Sequence, residues 1–414
     1  MDRPEGGTGG ESMSGVRAVR AKRGWDPIAG ELPGPLLVLI ADGKIVDVDG
    51  SGAAPPEGAP VVDCGEATLL PGLIDSHSHL CWEPSADPVE QFASDDDETL
   101  LERARRAASR ALAAGITTVR DLGDRGYVAV RLREKLSELP HAGPEILAAG
   151  PPITRTKGHC WFLGGEADGP EALVEAVDER ARRGVDVVKV MATGGYFTPG
   201  WGMHESQYTE AALRVVADRA HSQGLPVTAH AHGADGIVAA LEAGFDGIEH
   251  ALFVTADLVC RADPAVIDAL ADSGIVIGAT EAHLPDVPVS PVIARLRDGW
   301  RRIYMEMFRR GVRLAVQSDA GIRPGRPHDV LPYGAVSFAG LGMSNTEALR
   351  TVTQHAAAAC GLTGRKGRLA RGYDADLVAF DGHPLFDITA LLRPVVVIRA
   401  GTPVFVPVGG EHST

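Results

Sequence analysis

The 414-residue sequence predicts an α/β chain: a (β/α)8 TIM barrel with a small β-sandwich domain formed by its two ends. From residue 71 to 363, short apolar runs alternate with alanine- and arginine-rich helical stretches, the signature of βα units around a parallel sheet. On either side of that region the texture is strand-rich and punctuated by turns. Length agrees, since an α/β barrel takes roughly 250 residues and leaves enough chain for an appendage. A doubly wound open sheet has less support: no GxGxxG lies at a strand-to-helix turn, and eight strands is the closing number.

Residues 1–15 are glycine-rich and polar and read as a disordered tail. Within 16–70, PLLVLIADGKIVDVDG reads as a hairpin turning at Asp42-Gly43. Four strands of the barrel are then expected at LIDSHSHL (73–80), TTVRDLG (117–123), EILAAG (145–150) and VVKVMA (187–192). Four more are expected at PVTAHAH (226–232), GIEHA (247–251), IVIGAT (275–280) and RLAVQSDAG (313–321). Stretches such as DETLLERARRAASRALAAG, PEALVEAVDERARRG and RLRDGWRRIYMEMFRRG supply amphipathic outer helices. After residue 364 the chain is strand-rich again, in ARGYDADLVAFDG and PVVVIRAGTPVF. Each flanking segment is too short for its own core, so 16–70 and 364–414 are expected to pair into one β-sandwich domain beside a barrel at 71–363.

Forty basic against 55 acidic residues give a net charge of −15, which argues against a nucleic-acid or anionic-membrane surface. The apolar stretch LLVLIA is far too short to span a bilayer, and the first fifteen residues hold no apolar core of a secretory signal. Five scattered cysteines without a CxxC pair make a disulfide framework unexpected and point to a reducing cytoplasm. The expected partner is a small molecule.

Chemistry is concentrated at the carboxyl ends of the expected strands, the rim on which barrel enzymes carry their sites. His77 and His79 stand in IDSHSHL, Lys189 in VVKVMATGG, His230 and His232 in VTAHAHG, His250 in GIEHA and Asp319 in VQSDAG. Residues i and i+2 of a strand share a face, so His77 and His79 converge. A lone strand-end histidine is usually a satisfied core residue; five together with carboxylates suit zinc or a similar divalent ion. Lys189 interrupts a run that a parallel strand buries on both faces, in a chain with six lysines against 34 arginines. It is either ion-paired with a carboxylate such as Asp319, or neutral and converted by carbon dioxide to a carbamate able to bridge two metals. Asp319 is either a metal ligand or a helix N-cap.

These motifs resemble the metal-dependent amidohydrolase superfamily: the HxH after PGLID, the lysine of KVMATGG, the two later histidines and the SDAG aspartate. GHCWFLGGEADG and VTAHAHGADGIVAALEAGFDGIEHA resemble its imidazolonepropionase-like branch, with Xaa-Pro and Xaa-Arg dipeptidases (prolidase type) and ochratoxinase-type amidases. The resemblance implies two divalent ions, zinc foremost, with His77, His79 and Asp319 on one and His230 and His250 on the other. Carboxylated Lys189, formed from CO2 or bicarbonate, is implied as the bridge, and His232 as a pocket residue. It also allows a homo-oligomer, although the sequence shows no interface. QSDAG stands where GTDAG is commoner, and HCW replaces a glycine-rich stretch.

The implied reaction is hydrolysis of an amide C–N bond in a dipeptide or N-acyl amino acid by a metal-bridging hydroxide, with Asp319 moving the proton. His159 suits either the tetrahedral oxyanion or a plain loop hydrogen bond. Among the loop residues Arg155, Lys157, Tyr196, His204, His283, Arg323 and Arg326, one is expected to meet a substrate carboxylate, and Tyr196 is best placed. A cyclic-amide or carbamate hydrolase and a deaminase remain alternatives on the same scaffold. A metal-free, non-catalytic scaffold is a third, and it requires a lost ligand position, which the sequence does not show.

Overall fold

A computed structural model describes residues 15–85, 87–198 and 200–405. The expected tail at 1–15 lies outside the described residues except for its last member, as do positions 406–414 of the C-terminal segment. Each of the eight expected central strands forms: β1 (Leu73–Ser78), β2 (Ile116–Asp121), β3 (Glu145–Ala148), β4 (Val188–Met191), β5 (Val227–Ala231), β6 (Gly247–His250), β7 (Val276–Ala279) and β8 (Arg313–Val316). In six of them every residue is buried, as expected of parallel strands covered on both faces.

The strands lie in two parallel arcs, β1–β2–β3 and β4 through β8, in chain order. Single parallel bridges join the arcs at both seams, Ile153 with Val190 and Ser78 with Ala320. The second seam carries the Asp319 N–H to the His77 carbonyl at 2.8 Å and the His79 N–H to the Ala320 carbonyl at 3.1 Å. A helix follows each strand. That after β1, Asp97–Ala113, starts where the Asp96 carboxylate accepts the Thr99 N–H and presents Leu100, Ala104, Ala108 and Ala111 inward. The arginine-rich stretch after β7 forms Pro291–Arg309, burying Leu296, Trp300, Ile303 and Tyr304 on one side. No helix among the described residues is long and apolar enough to cross a membrane, and all five cysteines are free.

The two ends of the chain meet. Strand Leu377–Phe380 pairs antiparallel with Thr68–Pro71 inside a six-stranded sheet drawn from both ends. A second, four-stranded sheet contains the hairpin of Leu36–Ala41 and Lys44–Asp49, turned by Asp42 (φ 50°) and Gly43 (φ 71°). Val19, Val38 and Ile40 of that sheet share one apolar cluster with Leu69, Leu377 and Ile398 of the other.

Charge also ties the ends to the central arcs, on the side away from the rim. Glu145 at the start of β3 gathers with Asp374 and Asp376. Lys366 is buried among the three, 3.1 Å from Glu145, 3.0 Å from Asp374 and in contact with Asp376, while Arg365 and Arg399 complete the balance. These carboxylates are neutralised by side chains and need no ion. Replacing Lys366 by methionine leaves one buried and two half-buried acids short of one cation and should cost about 3–5 kcal/mol. Urea unfolding measures this; a loss below about 1 kcal/mol would mean that the arginines alone hold the lattice.

Candidate active site

The carboxyl ends of β1, β4, β5, β6 and β8 line one cavity. His77 and His79, two residues apart at the end of β1, aim their Nε2 atoms at Asp319 Oδ1, at 3.5 and 3.3 Å. Their opposite nitrogens are fixed: His77 Nδ1 lies 3.1 Å from Glu249 Oε2, and His79 Nδ1 lies 3.1 Å from the Gly123 carbonyl. A carbonyl can only accept, so Nδ1 of His79 carries a proton, and when the ring is neutral its lone pair is on Nε2.

A second group stands beside the first. The rings of His230, His232 and His250 lie 4.5–4.6 Å apart, centroid to centroid, and offer nitrogens within 4.8 Å of one another. His230 Nε2 faces the Gly194 carbonyl at 3.2 Å, leaving Nδ1 free; His250 Nδ1 faces Thr280 Oγ1 at 3.0 Å, leaving Nε2 free. Tyr304 donates to the His250 carbonyl at 2.7 Å, where the backbone turns left-handed (φ 71°). His232 lines the cavity as expected and also completes this triplet; its Nδ1 is buried without a partner.

Lys189 on β4 is 1% exposed, and its Nζ has no hydrogen-bond partner. The alternative of an ion pair with Asp319 is not realised, because Asp319 Oδ2 takes Arg326 Nη1 at 2.8 Å. Glu249 is engaged as well, by Arg120 at 2.9 Å, Thr228 at 2.7 Å and His77. Burial, against the pull of Glu249, brings the Lys189 ammonium down to about 8. Asp319 caps no helix, since the next one begins at Leu331; it sits at φ 50° with its carboxylate turned across the rim. Burial alone would raise its pKa, but His77, His79 and Arg326 hold it well below the carboxylate range.

His159 reaches the same cavity from the loop after β3. Its N–H donates to Gln207 Oε1 at 2.6 Å and its Nδ1 meets Thr198 Oγ1 at 3.1 Å, with the ring 4.7 Å from that of His230. The ring is packed so close to Gly195 that a Cβ there would stand 2.2 Å from Nε2. Tyr196, 47% exposed, lies at the mouth, and Arg323 and Arg326 line the wall. Two expected substrate residues are placed elsewhere. Arg155 faces Asp168 at 3.8 Å and stacks on Trp201, because the 155–168 loop offers it a surface carboxylate. His283 occupies an adjoining recess, held by the Leu284 carbonyl at 2.6 Å and packed against Gly325. Lys157 and His204 do not line the cavity either.

The sequence reading passes over Arg120 and Glu249, though both interrupt buried strands as Lys189 does. Glu249 needs the bare Cα of Gly278 on the neighbouring strand, where a Cβ would stand 2.2 Å from its Oε2. Thr280, Thr198 and Gln207 carry no charge or spacing that would mark them in advance.

The buried imidazoles set a pH dependence. Burial pulls His77 and His283 down to about 4, and His159 and His232 to about 3, while the unfolded value is 6.5. His79 moves the other way: burial opposes its charge, but Asp319 and Asp121 carry it upward. Between pH 6.5 and 4 the unfolded chain therefore binds protons that most of the folded rings refuse, so stability falls as pH falls. Melting scans of metal-free protein from pH 7 to 5 should show this loss, and His159→Gln should lessen it. A flat or rising melting temperature on acidification would contradict these neutral rings.

Comparison with known proteins gives the family. The model of the amidohydrolase family matches residues 68–404. Ochratoxinase of Aspergillus niger is 28% identical over 370 residues, covering 80% of this chain and 73% of that one. Imidazolonepropionase of Caulobacter vibrioides is 29% identical over 391 residues, covering 83% and 87%. A solved Xaa-Pro dipeptidase with methionine bound in its active site superposes with a TM-score of 0.80 at 26% identity, over 94% of this chain and all of that one. With two histidine groups on one rim and a family match spanning most of its length, the chain belongs to the amidohydrolase family of hydrolases acting on carbon–nitrogen bonds.

Proposed function

We propose that this chain is a binuclear metal-dependent amidohydrolase that cleaves an amide bond in a small substrate such as a dipeptide or N-acyl amino acid. The observation that carries the reading is Lys189: a buried amine without a partner, whose charge is felt by His77 of one imidazole group and by His230 and His250 of the other. An amine left in that state has no structural role to satisfy, and its lowered pKa makes the neutral form available. Its attack on carbon dioxide forms one N–C bond, releases one proton and gives an anion with two oxygens for two cations.

In this reading His77, His79 and Asp319 would hold one ion and His230 and His250 the other, and the carboxylate formed on Lys189 would serve both. Zinc suits the donor set of imidazole and carboxylate. Bound divalent ions supply water of lowered pKa and a Lewis acid for the scissile carbonyl. The chain supplies the rest. Arg326 fixes Oδ2 of Asp319, leaving Oδ1 on the side of the histidine pair to accept the water proton and pass it to the leaving nitrogen. The Cys160 N–H already donates to Thr198 Oγ1 at 2.9 Å, which frees the Thr198 hydroxyl proton for His159 Nδ1. That arrangement keeps a proton on His159 Nε2, a donor for the developing oxyanion. The same reading closes the two arcs into one (β/α)8 barrel over 71–363, with 16–70 and 364–414 as a β-sandwich beside it.

Elemental analysis tests the centre. Protein grown with zinc and bicarbonate should contain two equivalents per chain, and Lys189→Ala should lose metal and activity, with partial recovery in a short carboxylic acid. Unchanged metal and activity in the variant would sink the bridge. The amine is mostly protonated below about pH 8 and neutral above it. At fixed dissolved CO2, reloading of stripped protein should therefore improve from pH 6.5 to 8.5. Screening dipeptides and N-acyl amino acids should release free amine; ammonia from an aminated heterocycle instead would make the chain a deaminase.

A further inference from the structure

Three cations line the cavity, Lys189, Arg323 and Arg326, against a single carboxylate, Asp319. Two of the cations have assigned work. Arg326 is closed off by Asp319 and by the Thr280 carbonyl, which takes its Nη2 at 2.6 Å. Lys189 belongs to the centre described above. Arg323 is different: both guanidinium groups bury an unpartnered Nε, but the terminal nitrogens of Arg326 are engaged, whereas the Arg323 side chain forms no ion pair and no hydrogen bond among the described residues. Burial and the neighbouring Arg326 guanidinium push its pKa down, the mark of a cation lacking compensation. The nearby Arg297 is a second like charge and adds to this repulsion.

The position of Arg323 matters as much as its isolation. It stands four residues beyond Asp319 on the same loop, which is pinned by the Gly321 N–H to the Arg326 carbonyl at 2.9 Å and the Arg326 N–H to the Arg323 carbonyl at 3.2 Å. The backbone that carries the guanidinium is thus fixed relative to the reacting carboxylate, and a planar fork of donors matches a carboxylate in bidentate fashion. The remaining wall is apolar, from Trp82, Leu163, Phe197, Met203, Leu252 and Ile293, with Trp82 braced on Phe92 at 4.7 Å. It offers no acid to receive a lysine or arginine side chain.

We propose that Arg323 anchors the free carboxylate of the substrate, and that this substrate is an N-acyl amino acid, dipeptides included, whose side chains are apolar rather than basic. The inference rests on the hydrolase reading for its reaction and adds the residue and the selectivity. Among the loop residues that the sequence offered for this role, it selects Arg323 over the more exposed Tyr196 and the outlying Arg155.

Kinetics on metal-loaded protein, following release of the acyl group, compare N-acetylphenylalanine, its carboxamide and N-acetylarginine. The wild type should prefer the apolar acid over both. Arg323→Gln should raise KM for the acid on the order of 10- to 100-fold, leave kcat within a few-fold and leave the carboxamide unaffected. Arg323→Lys should fall between, and metal content with melting temperature should certify the fold of both variants. Equal losses on acid and carboxamide, retained preference for the acid in Arg323→Gln, or preference for the arginine substrate would overturn the proposal. If the wild type cleaves none of the three, the hydrolase reading fails on its own. Calorimetric titration with N-acetylphenylalanine then decides the anchor: binding lost in Arg323→Gln upholds it, and no binding to the wild type or equal binding to both overturns it.

Discussion

One buried carboxylate governs the arrangement of the rim. Glu249 is 1% exposed on a strand covered on both faces, and burial by itself would drive it neutral. Arg120 from β2 and His77 from β1 keep it ionised, and in return it fixes the orientation of the His77 ring. Because its oxygens are engaged by Arg120, Thr228 and His77, it cannot also quench Lys189. Had the acid paired with the lysine, the nitrogen would be an inert ammonium. The lack of a side chain at Gly278 is part of the same constraint, since the carboxylate occupies that space.

The two sides of the parallel strands divide the labour. On one, Glu145, Asp374 and Asp376 with Lys366, Arg365 and Arg399 form a charge-balanced lattice that fastens both chain ends to the strand starts, with every ion in contact with its opposite. On the other, imidazoles and one amine are brought together with nitrogens left open. The first arrangement satisfies its own charges, and the second leaves buried nitrogens without partners. That contrast separates a structural cluster of acids from a site far better than a tally of polar residues does.

Much of this was legible in the sequence, for physical reasons. Parallel strands covered on both faces must be apolar and short, so the eight runs stood out, and a charge within one, as at Lys189, was anomalous. The same anomaly marks Arg120 and Glu249. Histidines two apart on a strand must share a side, which made His77 and His79 a pair before any coordinates. Loop residues carry no such rule. Arg155, Lys157 and His204 were as eligible as Arg323 on sequence position alone, and only the paths of their backbones separate them. Which cation would meet Asp319 depended likewise on a loop return that brings Arg326 back to the rim. Thr280 and Thr198 act through hydrogen bonds to ring nitrogens, a role with no sequence pattern.

The left-handed backbone at Asp319 has an evolutionary consequence. Among residues that carry a side chain few enter that region at low cost, and aspartate and asparagine are foremost among them. Steric tolerance therefore channels neutral drift at this position toward asparagine, which preserves the turn and removes the charge. A descendant that has abandoned hydrolysis can keep the whole architecture, ring cluster included, and betray its retirement by a single amide at position 319.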